Sequence, residues 1–210
     1  MRCVIISAGK IRDYDVIKKY IEPGDYIIAA DGGFRHLEPL AVRADCLLGD
    51  FDSLGYVPDS AAEVYPSRKD DTDTMLAVKH GLQRGMNSFV ILGGLGGRLD
   101  HTFANISSLE YLRAHGAHGI LADESTVVRV FGVGDEIKPS PDSIAGGYFS
   151  VFPFGCQYAL VSMSGVEYPT VRQKIDSFFP LGVSNHITDR ENFSMTIHEG
   201  KTVIVECKER

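Results

Sequence analysis

The first 124 residues alternate short apolar runs with stretches of helical period, and this alternation constrains the fold more than any other feature. Apolar runs of this length suit buried strands, and strands separated by helices form parallel sheets. Six such runs are Cys3–Ser7, Tyr26–Ala30, Asp45–Gly49, Ala62–Pro66, Ser88–Leu92 and Gly119–Ala122. The sequence therefore predicts an α/β domain with a mainly parallel sheet and helices on both faces.

The pattern changes near residue 124, after which no helical period continues. Short β-like runs follow, with glycine and proline between them: Val127–Phe131, Asp135–Lys138, Tyr148–Phe152, Tyr158–Ser162, Phe193–Ile197 and Thr202–Glu206. Short strands at such intervals are typical of an antiparallel sandwich. We therefore predict two domains, an α/β domain over residues 1–124 and an all-β sandwich over residues 125–210.

Charge and composition exclude several classes of protein. The formal net charge of −7 argues against a nucleic-acid or anionic-membrane partner. No apolar run approaches the 18 residues of a membrane span, and the N-terminus lacks the long apolar region of a signal peptide. The four cysteines form no C-x-x-C pair and are expected to be reduced. These features predict a cytoplasmic protein without a nucleic-acid or membrane partner.

Gly49-Asp50-Phe51-Asp52-Ser53 follows the third apolar run. Side chains alternate along an extended segment, so Asp50 and Asp52 point the same way, with Cα atoms roughly 6.6–6.8 Å apart. Both carboxylates could therefore reach one hydrated Mg²⁺ or a close metal pair. The alternative is a polar turn at a strand end, because glycine, aspartate and serine all form turns.

Two further segments carry carboxylates after predicted strands. Asp31-Gly32-Gly33 follows the second strand and suits either a ligand site or a plain tight turn. In the segment Ser67–Thr74, Asp70 or Asp71 could cap the next helix, with Asp73 in its first turn. Three carboxylates in four residues exceed what capping needs and predict a bound cation. Lys69 and Arg68 beside them could bind phosphate oxygens.

The fifth strand leads into the segment Gly93–His101, which holds four glycines, Arg98, Asp100 and His101 before a predicted helix. A strand, a glycine-rich loop and a helix together offer backbone N–H groups to phosphate. The segment is neither a dinucleotide-binding G-x-G-x-x-G motif nor a P-loop. Its glycines could also form only a flexible turn.

The acidic segments converge if the sheet is parallel, because the carboxyl ends of parallel strands meet at one edge. Carboxylates there would hold Mg²⁺, while Mg²⁺ and the basic side chains would neutralise phosphates. The sequence therefore predicts metal-assisted phosphoryl chemistry.

Five segments, in order, resemble the thiamine pyrophosphokinase (thiamine diphosphokinase) family. They are Ala30–Gly33, Gly49–Ser53, Lys69–Asp73, Gly93–His101 with Asn105, and Gly182–Asn185. The resemblance implies an α/β domain with a β-sandwich. It also implies Mg²⁺-dependent transfer of a pyrophosphoryl group from ATP to the hydroxyethyl oxygen of thiamine, with AMP released. It implies a homodimer with the active site at the subunit interface.

Carried over by position, the resemblance gives each site residue an expected role. Asp50, Asp52 and Asp73 are expected metal ligands, with Asp70 or Asp71 assisting. Asp70, Asp71, Asp100 and Arg98 are the expected catalytic residues, and Asp100 or one of Asp70 and Asp71 is to accept the proton of the alcohol. The residues expected to contact ATP are Asp31, Gly32, Gly33, Lys69, Gly94, Arg98, Asp100, His101 and Asn105. Ser184 and Asn185 are expected in the thiamine pocket, reaching across from the second subunit.

The chain also departs from the family pattern. His186 and Ile187 follow Asn185 where bacterial members often have Glu-Phe, and the chain has no tryptophan to lie near the thiamine ring as in eukaryotic members. Two other functions are alternatives for this sequence. One is a Mg²⁺-dependent phosphatase of the haloacid-dehalogenase type, although the first strand lacks the acid which that class places there. The other is a non-catalytic nucleotide sensor. Transfer to a related alcohol is a further alternative.

Overall fold

The computed structural model describes residues 1–49, 62–64, 71–139 and 147–208. By their contacts the residues divide into two compact units, Met1–Glu124 and Ser125–Arg210. Each unit has its own strands and its own buried apolar side chains.

The described residues of the first unit form six strands, which pair in parallel with one another. They are β1 (Arg2–Ile6), β2 (Tyr26–Ala30), β3 (Cys46–Gly49), β4 (Ala62–Val64), β5 (Ser88–Leu92) and β6 (His118–Ala122). The strands lie in the order β6-β5-β1-β2-β3-β4. Burial of β1 explains its place inside the sheet, since Cys3, Val4, Ile5 and Ile6 are all fully buried.

The strand order reverses at β1. From β1 the chain builds β2, β3 and β4 on one side, then returns to place β5 and β6 on the other. Ile5 of β1 accordingly pairs with Ile28 of β2 and with Ile91 of β5. Loops that leave neighbouring strands in opposite directions open a crevice at the carboxyl edge of the sheet, where ligands bind in open α/β folds.

Four α-helices and a short 3-10 helix connect the described strands of the first unit. They are α1 (Tyr14–Lys18), the 3-10 helix (Asp31–His36), α2 (Leu37–Leu40), α3 (Asp73–Gln83) and α4 (Leu99–Ala114). Asp13 is the N-cap of α1, and its side chain accepts a hydrogen bond from the backbone N–H of Val16.

The predicted N-cap of α3 is wrong. The cap is Thr72, whose Oγ1 accepts from the Met75 backbone N–H at 3.2 Å, and neither Asp70 nor Asp71 has that role. The helix begins at Asp73, so the residue in the cap position is Thr72. The Asp71 carboxylate instead pairs with the Lys79 ammonium group at 2.6 Å.

Seven antiparallel strands are formed by the part of the second unit that the structure describes. They are β7 (Thr126–Gly132), β8 (Tyr148–Pro153), β9 (Tyr158–Ser164), β10 (Thr170–Asp176), β11 (Asn185–His186), β12 (Ser194–Glu199) and β13 (Lys201–Cys207). Within this unit one sheet has the order β11-β8-β13-β7 and the other β10-β9-β12. Residues of both sheets, such as Val151, Val161, Ile175 and Ile204, belong to one hydrophobic core.

The second unit corrects one strand prediction and adds two strands. Residues 135–138 form no strand, because the Asp135 carboxylate accepts from the backbone N–H of Gly132 and closes a turn. β10 and β11 were not predicted. Most of β10 is exposed, so its sequence lacks the apolar alternation of a half-buried strand.

Part of the predicted fold class stays a prediction. The described residues form a six-stranded parallel sheet in one unit and antiparallel sheets in the other. Helices on both faces of the sheet, the sandwich arrangement and the roles of the two domains are not tested by these elements. Within the described residues, no helix is long and apolar enough to cross a membrane. The four cysteines are free.

Candidate active site

A cleft of about 440 Å³ opens at the carboxyl edge of the parallel sheet in the first unit. Its walls come from the residues after β1, β2 and β5 and from the first turns of α3 and α4. The lining residues are Ser7, Ala8, Gly9, Lys10, Ala30, Asp31, Thr72, Asp73, Thr74, Gly93, Gly94, Leu95, Gly97, Arg98, His101 and Asn105. The cleft therefore lies where the strand order reverses.

The cleft brings together six of the residues singled out in the sequence. They are Asp31, Asp73, Gly94, Arg98, His101 and Asn105. Among the other predicted residues of the first unit, Gly32, Gly33, Asp71 and Asp100 do not line it. Asp50, Asp52, Lys69 and Asp70 lie outside the described residues.

Asp31 has an unusual backbone and an unusual carboxylate. Its φ of 44° lies in the left-handed region that non-glycine residues seldom adopt. Its Oδ1 is buried and, within the described parts of the chain, accepts no hydrogen bond. Gly49, the residue before Asp50, packs against it, and a Cβ at Gly49 would lie 3.0 Å from the Asp31 Cα. A buried acceptor without a donor suits a cation or a ligand hydroxyl group.

Gly32 and Gly33 serve close packing of backbone. A Cβ on Gly33 would lie 1.9 Å from the Ile6 carbonyl oxygen, and one on Gly32 would lie 2.5 Å from the Arg35 guanidinium. Gly33 therefore lets the 3-10 helix approach β1, whereas a side chain at Gly32 would displace the Arg35 guanidinium. Both glycines act on the cleft through the position of Asp31.

A hydrogen bond from the Asn105 side chain of α4 fixes the glycine-rich loop after β5. The buried Asn105 side-chain amide donates to the Gly94 carbonyl oxygen at 2.8 Å. A Cβ on Gly94 would lie 2.5 Å from Leu121 Cδ1 and 3.0 Å from the Asn105 amide nitrogen. Gly94 thus lies between a side chain of β6 and one of α4, and a Cβ there would displace one of them.

Several cleft residues were missed by sequence reasoning. Ser7 Oγ and Thr74 Oγ1 form a buried hydrogen bond at 2.9 Å, which joins the end of β1 to the first turn of α3. Lys10 adds a cation next to the Gly9 turn. The available signal was the Ala8-Gly9 turn at the carboxyl end of a buried strand, directly followed by a lysine.

Arg98 and Asp100 pair with each other at the start of α4. The guanidinium and the carboxylate are 2.6 Å apart, and both side chains are exposed. The hydrogen bond from Arg98 and the bond from the His101 backbone N–H lower the pKa of Asp100, and the same pair raises the pKa of Arg98. Asp100 is therefore a weak base in this arrangement.

Few described carboxylates are placed to share a metal ion. Within residues 1–49, 71–139 and 147–208, no three His, Cys, Asp or Glu side chains cluster as a metal site. Asp31 and Asp73 are the carboxylates that the described lining of the cleft contributes.

The second unit has a pocket of its own, also of about 440 Å³. Its lining includes the buried apolar side chains of Phe149, Met163 and Ile175. The other lining residues are Tyr168, Thr170, Gln173, Leu181, Gly182, Val183, Ser184 and Asn185. The predicted residues Ser184 and Asn185 thus lie together in an apolar pocket.

The Asn185 side chain hydrogen-bonds to the backbone of Tyr168 and His186. Its buried side-chain oxygen accepts from the backbone N–H groups of Tyr168 and His186, and its amide donates to the Tyr168 carbonyl at 3.1 Å. Ser184 has a left-handed φ of 58°, and its backbone N–H donates to Ser150 Oγ. Asn185 therefore fixes the position of Tyr168, whose side chain is 60% exposed.

Comparisons with known proteins point to one family. The family model described as "Thiamin pyrophosphokinase, catalytic domain" matches residues 17–121. Thiamine pyrophosphokinase of Bacillus subtilis (strain 168) is 29% identical over 199 residues, which cover 90% of this chain and 92% of the relative. Thiamin pyrophosphokinase 1 of Caenorhabditis elegans is 25% identical over 179 residues, with 80% and 74% covered.

The fold agrees with solved structures as well. A crystal structure of thiamine pyrophosphokinase from Bacillus subtilis superposes with a TM-score of 0.84 at 22% sequence identity, and both chains are covered in full. Because the family model matches half of its residues, this chain belongs to the thiamin pyrophosphokinase family.

Proposed function

We propose that this chain transfers a pyrophosphoryl group from ATP to the hydroxyethyl oxygen of thiamine and so forms thiamine diphosphate and AMP. One observation carries the proposal. In a chain of this family, the cleft at the strand reversal combines a glycine-rich loop, two cations and carboxylates. Such a set suits phosphoryl transfer, in which positioning and charge neutralisation supply most of the catalysis.

ATP is proposed to lie in the cleft with its phosphates on the glycine-rich loop. The loop leads into α4, and Arg98 at the N-cap of that helix has no side-chain cap hydrogen bond. The first N–H groups of a helix favour an anion. Lys10 and Arg98 can neutralise phosphate oxygens from two sides of the cleft.

Mg²⁺ is proposed as the metal that ATP requires. The carboxylate oxygens of Asp31 and Asp73 are hard donors of the kind Mg²⁺ prefers, and the buried Oδ1 of Asp31 has no described donor. These residues fit the ion, with Asp50 and Asp52 as further proposed ligands. When bound, Mg²⁺ neutralises charge on the phosphates. Unchanged turnover of Asp52→Asn at limiting Mg²⁺ would remove Asp52 from the metal shell.

The alcohol oxygen of thiamine is proposed to attack the β-phosphorus of ATP. The bond between that phosphorus and the oxygen bridging to the α-phosphate breaks, and AMP leaves. The proton of the alcohol passes to a base. Arg98 lowers the pKa of Asp100, and the Asp71 carboxylate is paired with Lys79 outside the cleft lining. Asp70 is therefore the proposed acceptor, and Asp100 is assigned to orienting Arg98.

The pocket of the second unit is proposed to hold thiamine. Its apolar side chains suit an aromatic ring, and the exposed ring of Tyr168 can pack on the cationic thiazolium. Tyr168 would thus stand in for the absent tryptophan. Ser184 and Asn185 line the same pocket, where Asn185 holds the Tyr168 backbone.

A homodimer with the active site at the subunit interface is also proposed. It rests on the family resemblance, and it is supported by the exposed apolar side chains of Val171, Phe178 and Phe179 in the second unit. A cytoplasmic location is proposed as well, supported by the four free cysteines. Sedimentation of the purified chain measures the subunit number, and a monomer at assay concentration would contradict the dimer.

The deciding experiment incubates the chain with ATP, Mg²⁺ and thiamine and identifies the products. We expect thiamine diphosphate and AMP in equal amounts. ADP in place of AMP, or nucleotide turnover without thiamine, would contradict the proposal. A panel of other primary alcohols decides the acceptor. Neither the phosphatase nor the nucleotide sensor has support from the comparisons.

A further inference from the structure

A buried histidine outside the cleft lining holds one of the peptide groups of the cleft. His36, at the end of the 3-10 helix, is only 4% exposed. Its Nε2 lies 2.8 Å from the Gly9 carbonyl oxygen, and its Nδ1 lies 2.8 Å from the Tyr14 hydroxyl group of α1. Gly9 lines the cleft, whereas His36 and Tyr14 do not.

The chemistry of these partners determines the protonation of the ring. A backbone carbonyl only accepts, so His36 must donate from Nε2 to Gly9. Burial lowers the pKa of His36, which keeps the imidazole neutral, and the nearby Arg35 acts in the same direction. In a neutral ring with Nε2 protonated, Nδ1 accepts the hydrogen bond from Tyr14. Both ring nitrogens are therefore used by defined partners.

Gly9 is fixed on its other side too. Its backbone N–H donates to the Gly93 carbonyl oxygen at 2.8 Å, and a Cβ on Gly9 would lie 2.2 Å from that oxygen. The residue is thus clamped between the 3-10 helix after β2 and the glycine-rich loop after β5. These two segments carry Asp31 and Gly94, which lie in the same cleft.

The hydrogen bond from His36 also orients the next peptide N–H. In a trans peptide the carbonyl and the following N–H point in opposite directions. With the Gly9 carbonyl turned to the buried His36, the N–H of Lys10 points away from His36. Of the described residues, none is seen to accept from that N–H. Lys10 itself is exposed and lines the cleft.

We infer that His36 is a positioning residue for the ATP phosphates. It holds the Gly9 carbonyl group, and the N–H and the side chain of Lys10 are thereby presented to the cleft. The inference rests on the proposed function for the identity of the ligand. His36 does not touch ATP in this arrangement, and its effect passes through the Gly9–Lys10 peptide.

Two amide variants of His36 each keep one of its two hydrogen bonds and remove the other. The amide nitrogen of glutamine reaches the place of Nε2, so His36→Gln keeps the bond to Gly9 and loses the one to Tyr14. The amide group of asparagine reaches the place of Nδ1, where its oxygen can accept from the Tyr14 hydroxyl group, so His36→Asn keeps the Tyr14 side and loses Gly9. Both variants bury a neutral amide of similar polarity. Tyr14→Phe removes the Tyr14 hydroxyl group alone and is the matched control.

Calorimetry of ATP binding, with thermal unfolding of each variant, tests the inference. We expect His36→Asn to raise the Kd for ATP about tenfold or more, as for loss of one hydrogen bond to a charged group, and His36→Gln to stay within about threefold of the wild type. Tyr14→Phe is expected to bind ATP like the wild type. The unfolding temperatures of the Asn and Gln variants are expected to fall together.

The outcomes separate this inference from the proposed function. Equal ATP affinity in the Gln and Asn variants, or an affinity loss that follows the unfolding temperature, overturns it. Nitrogen-15 shifts of the wild-type histidine ring give a second test: protonation at Nε2 supports the inference, and protonation at Nδ1 overturns it. A wild-type chain that binds ATP but leaves thiamine unchanged contradicts the proposed function alone, because the ATP affinities still decide the role of His36.

Discussion

The cleft of the first unit and the pocket of the second have the same volume, about 440 Å³, but different kinds of residue line them. Glycines and small residues at strand ends form much of the cleft, and Gly9 and Gly94 are held by hydrogen bonds from buried side chains. The pocket is built from side chains on an antiparallel framework, with Phe149 and Met163 buried in its lining.

This difference corresponds to the two kinds of ligand in the proposed reaction. A phosphate chain is recognised by N–H groups and cations, which a rigid backbone presents well. An aromatic ring is recognised by apolar contact, which side chains supply and can readjust. The cleft should therefore be sensitive to small changes of backbone shape, whereas the pocket should respond mainly to the loss of contact area.

The largest expected effect comes from adding one methyl group to the backbone of the cleft. Gly9→Ala places a Cβ 2.2 Å from the Gly93 carbonyl oxygen, so the two loops must separate. We expect unfolding free energy to fall by about 3 kcal/mol and turnover to fall roughly 100-fold, because overpacking strains the fold and misplaces the phosphates. Denaturant unfolding and a thiamine diphosphate assay measure the two effects.

A second glycine of the same cleft provides the control for stability. A Cβ at Gly97 meets no atom within 4 Å, so Gly97→Ala should change the unfolding free energy by no more than about 0.5 kcal/mol. If Gly9→Ala were as stable as Gly97→Ala, the clamp on Gly9 would be looser than its geometry indicates.

Asp31 is expected to give the next largest effect. Asp31→Asn keeps the shape of the side chain and removes the charge from the buried Oδ1, which has no described donor. We expect turnover to fall roughly 10- to 100-fold and the Mg²⁺ requirement to rise, since a metal or ligand hydroxyl loses a charged acceptor. Steady-state rates over a range of Mg²⁺ concentrations measure both. Asp15→Asn, at an exposed carboxylate in α1, should leave the rate and the Mg²⁺ curve as they are.

A pair of variants tests whether the two sites serve different substrates. Lys10→Met should raise the KM for ATP about tenfold and leave that for thiamine near the wild-type value, since a phosphate contact is lost. Tyr168→Ala should raise the KM for thiamine about fivefold with little change for ATP, through the loss of an aromatic contact to a cation. Tyr168→Phe retains the ring and is the control. If both variants shifted the same KM, the assignment of one substrate to each site would be wrong.

Much of the first unit could be predicted because most residues of its central strands are buried. β2 and β5 have the bounds that their apolar runs predicted, since a parallel strand covered on both faces is a nearly continuous apolar run. β10 could not be found in this way. Four of its seven residues are exposed and one is buried, so hydrogen bonds to β9 rather than an apolar pattern define it.

Residues of the candidate site could be predicted where neighbouring residues in the sequence indicate their role. They could not be predicted where their role depends on the order of the strands. Asp31, Asp73 and Arg98 could be chosen because acids, cations and glycines follow strands in the sequence. Lys10 was signalled only by the Ala8-Gly9 turn before it, since it gains its place in the cleft from the reversal at β1. His36 could not be chosen. His36 acts on Gly9, 27 residues earlier in the chain. Nothing in the local sequence distinguishes such a histidine from one that only fills the core.

The smallest expected effect is the pH dependence of stability that His36 confers on the first unit. Burial lowers the pKa of His36, so the unfolded chain binds a proton more readily than the folded chain. This contribution to stability is complete above the unfolded pKa of about 6.5 and is lost as the pH falls through the folded pKa. We therefore expect wild-type stability to fall more steeply than that of His36→Gln between pH 7 and 5. The difference in slope cannot exceed about 1.4 kcal/mol per pH unit, the limit for one proton. Denaturant unfolding of both chains across this range measures it, and parallel curves would mean that His36 takes up its proton equally well in the folded chain.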